Sequence, residues 1–197
     1  MEAVLGRIGG VGVVVAIIVV IAVVAIGLAM WVIGIYNSLQ RLRVATEASL
    51  SGIDVQLKRR HDLIPNLVSV VQGYAAHEKG TLEAVIKARA SAMSAGSVGE
   101  KSAAEGALTG ALGRLLAIAE AYPDLKANQN FLQLQGELSS LENAISVTRG
   151  GYNASAQGFN ATLAQFPTNI IGGIFGFKPF EFFKADEASR AVPVVKF

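Results

Sequence analysis

The stretch FLQLQGELSSLENAISVTRGGYNASAQGFNATLAQF, residues 131–166, decides the fold class. Phe131, Leu134, Leu138, Leu141, Ile145, Thr148, Tyr152, Ser155, Phe159, Thr162 and Phe166 recur at steps of three and four. That period puts them on one helix face, where a strand would alternate every second residue. A long helix is therefore expected here, with Pro167 stopping it. Beside the apolar line through Phe131, Leu138, Ile145, Tyr152 and Phe159 runs a polar one, Asn128, Gln135, Glu142 and Arg149. Polar positions next to a bundle core are normally its solvated flank, and these are read that way, with a polar seam facing another helix or subunit as the alternative.

Upstream, Ala104, Leu108, Ala111, Leu115, Ala119 and Tyr122 mark another helix, ended by Pro123. The small, Gly-containing stretch from Ser94 to Gly99 reads as a loop before it. Asp62 can cap a helix over about 63–95, with Pro65 tolerated in its first turn and Ile64, Leu67, Val71, Tyr74, Leu82 and Val85 carrying the period. The alternative is that Pro65 only kinks one continuous helix. Earlier still, Leu39, Leu42, Thr46, Ile53 and Leu57 keep the same spacing, so the preceding apolar helix is expected to run on into this domain. Short connections favour antiparallel neighbours, hence an all-α, up-and-down four-helix bundle over residues 36–166, followed by a non-helical Phe/Gly-rich segment, 167–197.

Residues 1–35 form a tail and membrane anchor. No charged side chain occurs from Ile8 to Gln40, and Ile8 to Ile35 is almost entirely Val, Ile, Ala, Leu and Gly. Such a run exceeds the ~20 residues that cross a bilayer, and it lacks the short apolar core and small-x-small site of a cleaved signal. Gly12 with Ala16, and Ala25 with Ala29, offer small residues at i and i+4 where two spans can approach closely, which predicts a homo-oligomer. Trp31 and Tyr36 suit either the membrane–water interface or ordinary helix packing, and Arg41 and Arg43 suit the headgroups. Only Arg7 precedes the span, so the positive-inside rule places the N-terminus outside and the bundle in the cytoplasm.

A net charge of +2, with 17 basic residues scattered along the chain, supplies no phosphate-binding stripe, so no nucleic-acid partner is expected. Without cysteine there is neither a disulfide nor a thiolate ligand or nucleophile. His77-Glu78 opens like a zincin motif, but Thr81 stands where the second histidine belongs. No metal, cofactor or catalytic residue is assigned. The Asn153-Ala-Ser and Asn160-Ala-Thr sequons fall on the long helix and read as chance. Lys58, Arg59 and Arg60 form a basic run that can meet an acidic partner, or else pair locally with Asp54, Asp62 or Asp124. Phe175, Phe177, Phe180, Phe182, Phe183 and Phe197 crowd the last part of the chain, as an interfacial or partner-seeking patch or as a plug of the bundle end.

Three runs carry a specific resemblance: YNSLQRLRVATEASLSGIDVQLKRRHDLIPNLVSVVQGYAAHE from Tyr36, AEAYPDLKANQNFLQLQGELSSLENAISVTRGGYNASAQGFN from Ala119, and FPTNIIGGIFGF from Phe166. They are similar to the LemA family over nearly everything after the anchor. The resemblance implies an N-terminal anchor with an antiparallel four-helix bundle, and carries over no catalytic residue. One branch of that family is associated with magnetosome membrane formation, which implies a membrane-organising role. The expectation is a non-enzymatic scaffold of the bacterial inner membrane that binds the bilayer, copies of itself and other membrane proteins. The alternative is an adaptor or regulator of a membrane enzyme, acting as monomer or dimer.

Overall fold

The computed structural model describes the backbone of residues 2–184 and the side chains of residues 12–184. Among the described residues every regular element is helical: α1 (Glu2–Tyr74), α2 (Lys79–Ser94), α3 (Val98–Ile118), α4 (Pro123–Lys126), α5 (Gln129–Ala164) and α6 (Thr168–Ile174). They form two compact units, residues up to Val44 with Phe159–Pro179, and Ala45–Gly158 with the chain from Phe180.

The first unit contains the apolar part of α1. Its most apolar 18-residue stretch has mean hydropathy 3.3 and none of it is buried, so the helix presents hydrocarbon on every side, as a helix solvated by lipid does. The same unit holds the end of α5 and all of α6, where a non-helical segment was expected. Ile171 and Gly172 are the buried face of α6. A Cβ on Gly172 would lie 2.3 Å from Leu163 Cδ1 and 3.7 Å from Leu39 Cδ1, so only glycine allows this approach without moving Leu163. Gly176, at φ 72°, takes the left-handed turn that brings the Phe177 amide back onto the Gly172 carbonyl at 2.9 Å.

The second unit has a core built on heptads. On α5, Phe131, Leu138, Ile145, Tyr152 and Phe159 are all buried, Phe159 within the first unit and the others in the second. On α1, Thr46, Ile53, Arg60 and Leu67 keep one heptad line and Leu57, Ile64 and Val71 the other, and all seven are buried. α2 and α3 pack on one another.

Helix boundaries differ from the sequence expectation at three places. Asp62 caps nothing; it lies inside α1 and pairs with Lys58, one turn back, at 2.7 Å. α1 runs through Pro65 because the carbonyl that proline leaves without a helical donor, that of His61, accepts instead from Arg89 Nε of α2 at 2.8 Å. The break falls at residues 75–78, between α1 and α2. α3 begins at Val98 rather than near Ala104, since Ser97 caps it: the Ser97 hydroxyl accepts from the Glu100 amide at 3.1 Å, and the Glu100 carboxylate accepts from the amides of Ser97 and Gly96. Pro123 does not end α3 but starts α4, at a first-turn position where its missing N–H costs nothing.

Candidate functional site

The second unit's distinctive feature is a charge cluster inside its core. Arg60 and Glu105 are each 1% exposed and His61 is 7% exposed. Arg60 Nη1 donates to Glu105 Oε2 at 2.9 Å, and Nη2 donates to Thr109 Oγ1 at 2.8 Å and to the Glu142 carboxylate. The other Glu105 oxygen meets His61 Nε2 at 2.7 Å. With Glu105 ionised beside a guanidinium, that histidine nitrogen has to carry the hydrogen. The heptads explain the placement. Arg60 follows Ile53 in a core line of α1, and Glu105 precedes Leu112 on α3.

Both Glu105 oxygens are used, the guanidinium serves two carboxylates and a hydroxyl, and Arg60 Nε is the one fully buried polar atom of the cluster without a protein partner. The arrangement ties α1, α3 and α5 together in one register. No group of three or more metal-capable side chains exists among the described residues.

This geometry withdraws Arg60 from the expected interaction surface. Its partners are Glu105 and Glu142, not Asp54, Asp62 or Asp124. Lys58 remains outside, tied to Asp62, whose carboxyl is held below its ordinary range chiefly by the Lys58 hydrogen bond. Asp54 pairs with Lys101 at 2.6 Å. Arg59 is exposed and lines an open depression of about 450 Å³ with Asp62, Leu63, Glu137, Ser140 and Leu141. Of the polar line on α5, Glu142 pairs with Arg60 while staying partly exposed, and Arg149 sits 5.3 Å over the Phe183 ring.

The C-terminal phenylalanines divide. Phe183 is buried, edge-on to Tyr152 at 5.5 Å, and its backbone amide and carbonyl are both held by the Asn153 side chain at 2.9 Å. Tyr152 donates to the Glu181 carbonyl at 2.8 Å, and burial followed by the Glu181 charge raises its phenol above the ordinary value. Asn153, read as a chance sequon, is thus a clamp on an extended segment. Phe180 packs against that cluster and Phe182 is half exposed. In the first unit Phe175 and Phe177 lie 4.9 and 5.7 Å from the Tyr36 ring, and Phe177 also meets Phe159. Phe197 lies outside the described residues. Gly12, Ala16, Ala25, Ala29, Trp31, Arg41 and Arg43 are all exposed on α1.

The signal for Glu105 and Glu142 was present. Extending the α1 line from Thr46 and Ile53 by one more heptad lands on Arg60, and a guanidinium in a core position demands buried acids.

Helices as the only regular elements among the described residues, one of them exposed, apolar and long enough to cross a bilayer, define by class a membrane-associated helical protein. The LemA family model matches residues 49–197, and the chain belongs to the LemA family. Among similar proteins is the Protein LemA of Metamycoplasma hominis, 30% identical over 168 residues, covering 84% of this chain and 76% of that protein. Magnetosome protein MamQ 2 of Paramagnetospirillum magneticum is 29% identical over 179 residues, covering 78% of this chain and 66% of that protein. Magnetosome protein MamQ of Magnetospirillum gryphiswaldense is 26% identical, covering 75% of this chain and 64% of that protein. The chain thus spans just under two thirds of the length of these magnetosome relatives.

Proposed function

We propose that this chain is a membrane-anchored scaffold that self-associates or organises other proteins at the bacterial inner membrane. In this reading the N-terminus lies outside, and an antiparallel bundle of the latter part of α1 with α2, α3 and α5 stands in the cytoplasm. One observation carries it: the apolar stretch of α1 is exposed on all sides, with Gly12, Ala16, Ala25 and Ala29 uncovered, while the buried Arg60 and Glu105 of the domain neutralise one another. A bilayer and neighbouring spans are the surfaces such a helix fits. The names of two relatives tie them to the magnetosome, and a membrane-organising role suits the same architecture.

Light scattering on the full-length protein in mild detergent, with the detergent mass subtracted, tests self-association. A particle of several chains is the expected result. A particle of one 20.6 kDa chain contradicts it and favours the adaptor reading.

A further inference from the structure

We propose that the segment from Phe166 to Phe175 is a second membrane contact: α6 lies in the headgroup layer of the bilayer that α1 spans, with Phe166, Ile170, Ile174 and Phe175 at the acyl boundary. The proposal rests on the membrane anchor of the preceding reading but not on self-association.

Exposure comes first. Phe166 is 80% exposed, Ile170 54%, Ile174 74% and Phe175 53%, four large apolar side chains within ten residues. Exposed apolar residues scattered singly are ordinary on a protein surface, but a contiguous patch needs a cover. The patch cannot be hidden by rolling α6 over. Its other face is already occupied by Ile171 and Gly172, and Gly172 sits too close to Leu163 to exchange places with a branched residue.

Composition points to lipid rather than to water. Between Arg149 and Lys178 there is no charged side chain, matching the uncharged run from Ile8 to Gln40 on the helix that shares this unit. Charge reappears at the polar edge, with Lys178 on one segment and Arg41 on the other, both exposed and suited to anionic headgroups. The level is set by aromatic contact. Tyr36, which follows Ile33, the last large side chain of the exposed apolar stretch, holds Phe175 and Phe177 against its ring. Trp31 lies five residues earlier, or ~7.5 Å along the helix axis, so an interfacial belt at Trp31 and Tyr36 puts α6 beside the headgroups. An apolar face entering ~5–10 Å at that depth is the geometry of a monotopic helix.

Because the chain has no cysteine, single cysteines can report depth in the full-length protein. Ile174→Cys, Leu28→Cys and Ser146→Cys would each be labelled with nitrobenzoxadiazole and reconstituted at high dilution in phosphatidylcholine–phosphatidylglycerol vesicles. The Ile174 label is expected to be quenched by spin-labelled lipid and to resist aqueous iodide severalfold better than the Ser146 label. Iodide quenching at Ile174 equal to that at Ser146 overturns the proposal. Protection from both quenchers also overturns it, in favour of a second copy or another protein as the cover. Leu28 reports on the span alone, so a failed anchor, which removes the bilayer from α6 as well, is told apart from an α6 that stays in water beside an inserted span.

Discussion

Replacing Arg60 by methionine removes a guanidinium while keeping most of its aliphatic stem, so the perturbation is electrical more than volumetric. Glu105, 1% exposed, would keep only His61 as a partner, whereas Glu142, 42% exposed, can turn toward water. Removing one member of a buried pair costs about 3–5 kcal/mol, because the other charge stays desolvated. A domain's whole stability is about 5–15 kcal/mol, so about a fifth of it or more is at stake. At 1.4 kcal/mol per tenfold, backbone amides of α3 that exchange through global opening should speed up roughly 10²- to 10⁴-fold. Hydrogen exchange read by mass spectrometry on the full-length protein in detergent measures this peptide by peptide. Glu105→Leu should cost less, because Arg60 keeps Glu142 and Thr109 while losing its fully buried partner. The double variant Arg60→Met with Glu105→Leu should be milder than the sum of the two by about 2 kcal/mol or more, since neither charge is left unpaired. A cost for Arg60→Met below about 1 kcal/mol, the value of a solvated ion pair, or strict additivity in the double variant, would refute the tie.

Ile145→Ala, in the buried line of α5, should cost about 2–5 kcal/mol, while Ser146→Ala on the exposed side should change the same denaturation midpoint little. Asn153→Ala removes both hydrogen bonds to Phe183, worth about 1 kcal/mol each, and should hasten tryptic cleavage at Lys184 before any loss of helix. Amides of Ser97 and Gly96 hold the Glu100 carboxyl below its ordinary range. Its contribution to stability is therefore present above the unfolded-state value and lost as pH falls through the folded one, so Glu100→Gln should flatten the acid limb of the stability profile.

The parts of the fold that were legible are those where one period runs unbroken. The α5 line of Phe131, Leu138, Ile145, Tyr152 and Phe159 is buried throughout, and the uncharged run ending at Gln40 lies within one helix. What could not be read are exchanges of hydrogen bonds between distant residues. Pro65 is a helix breaker in isolation, and only the long-range donor Arg89 lets α1 continue. Asn153 looks like a modification site until the returning backbone of Phe183 meets it. Glu100 and Lys101 carry no signal of their own in the apolar pattern, yet one closes a capping box and the other reaches Asp54. The buried cluster lies between these cases. A basic run is normally exposed, and that prior outweighed the heptad phase that places Arg60 in the core.

The central claim, an anchor that brings copies of this chain together, is tested most directly by cysteine crosslinking in native membranes. Ala29→Cys lies on the Ala25–Ala29 face of the span, and Val24→Cys lies about 80° or more round the helix from Gly12, Ala16, Ala25 and Ala29 alike. With a membrane-permeant oxidant, Ala29→Cys should give a disulfide-linked dimer and Val24→Cys should remain monomeric. Dimer from neither site, or equal yields from both as random collision produces, would contradict the account.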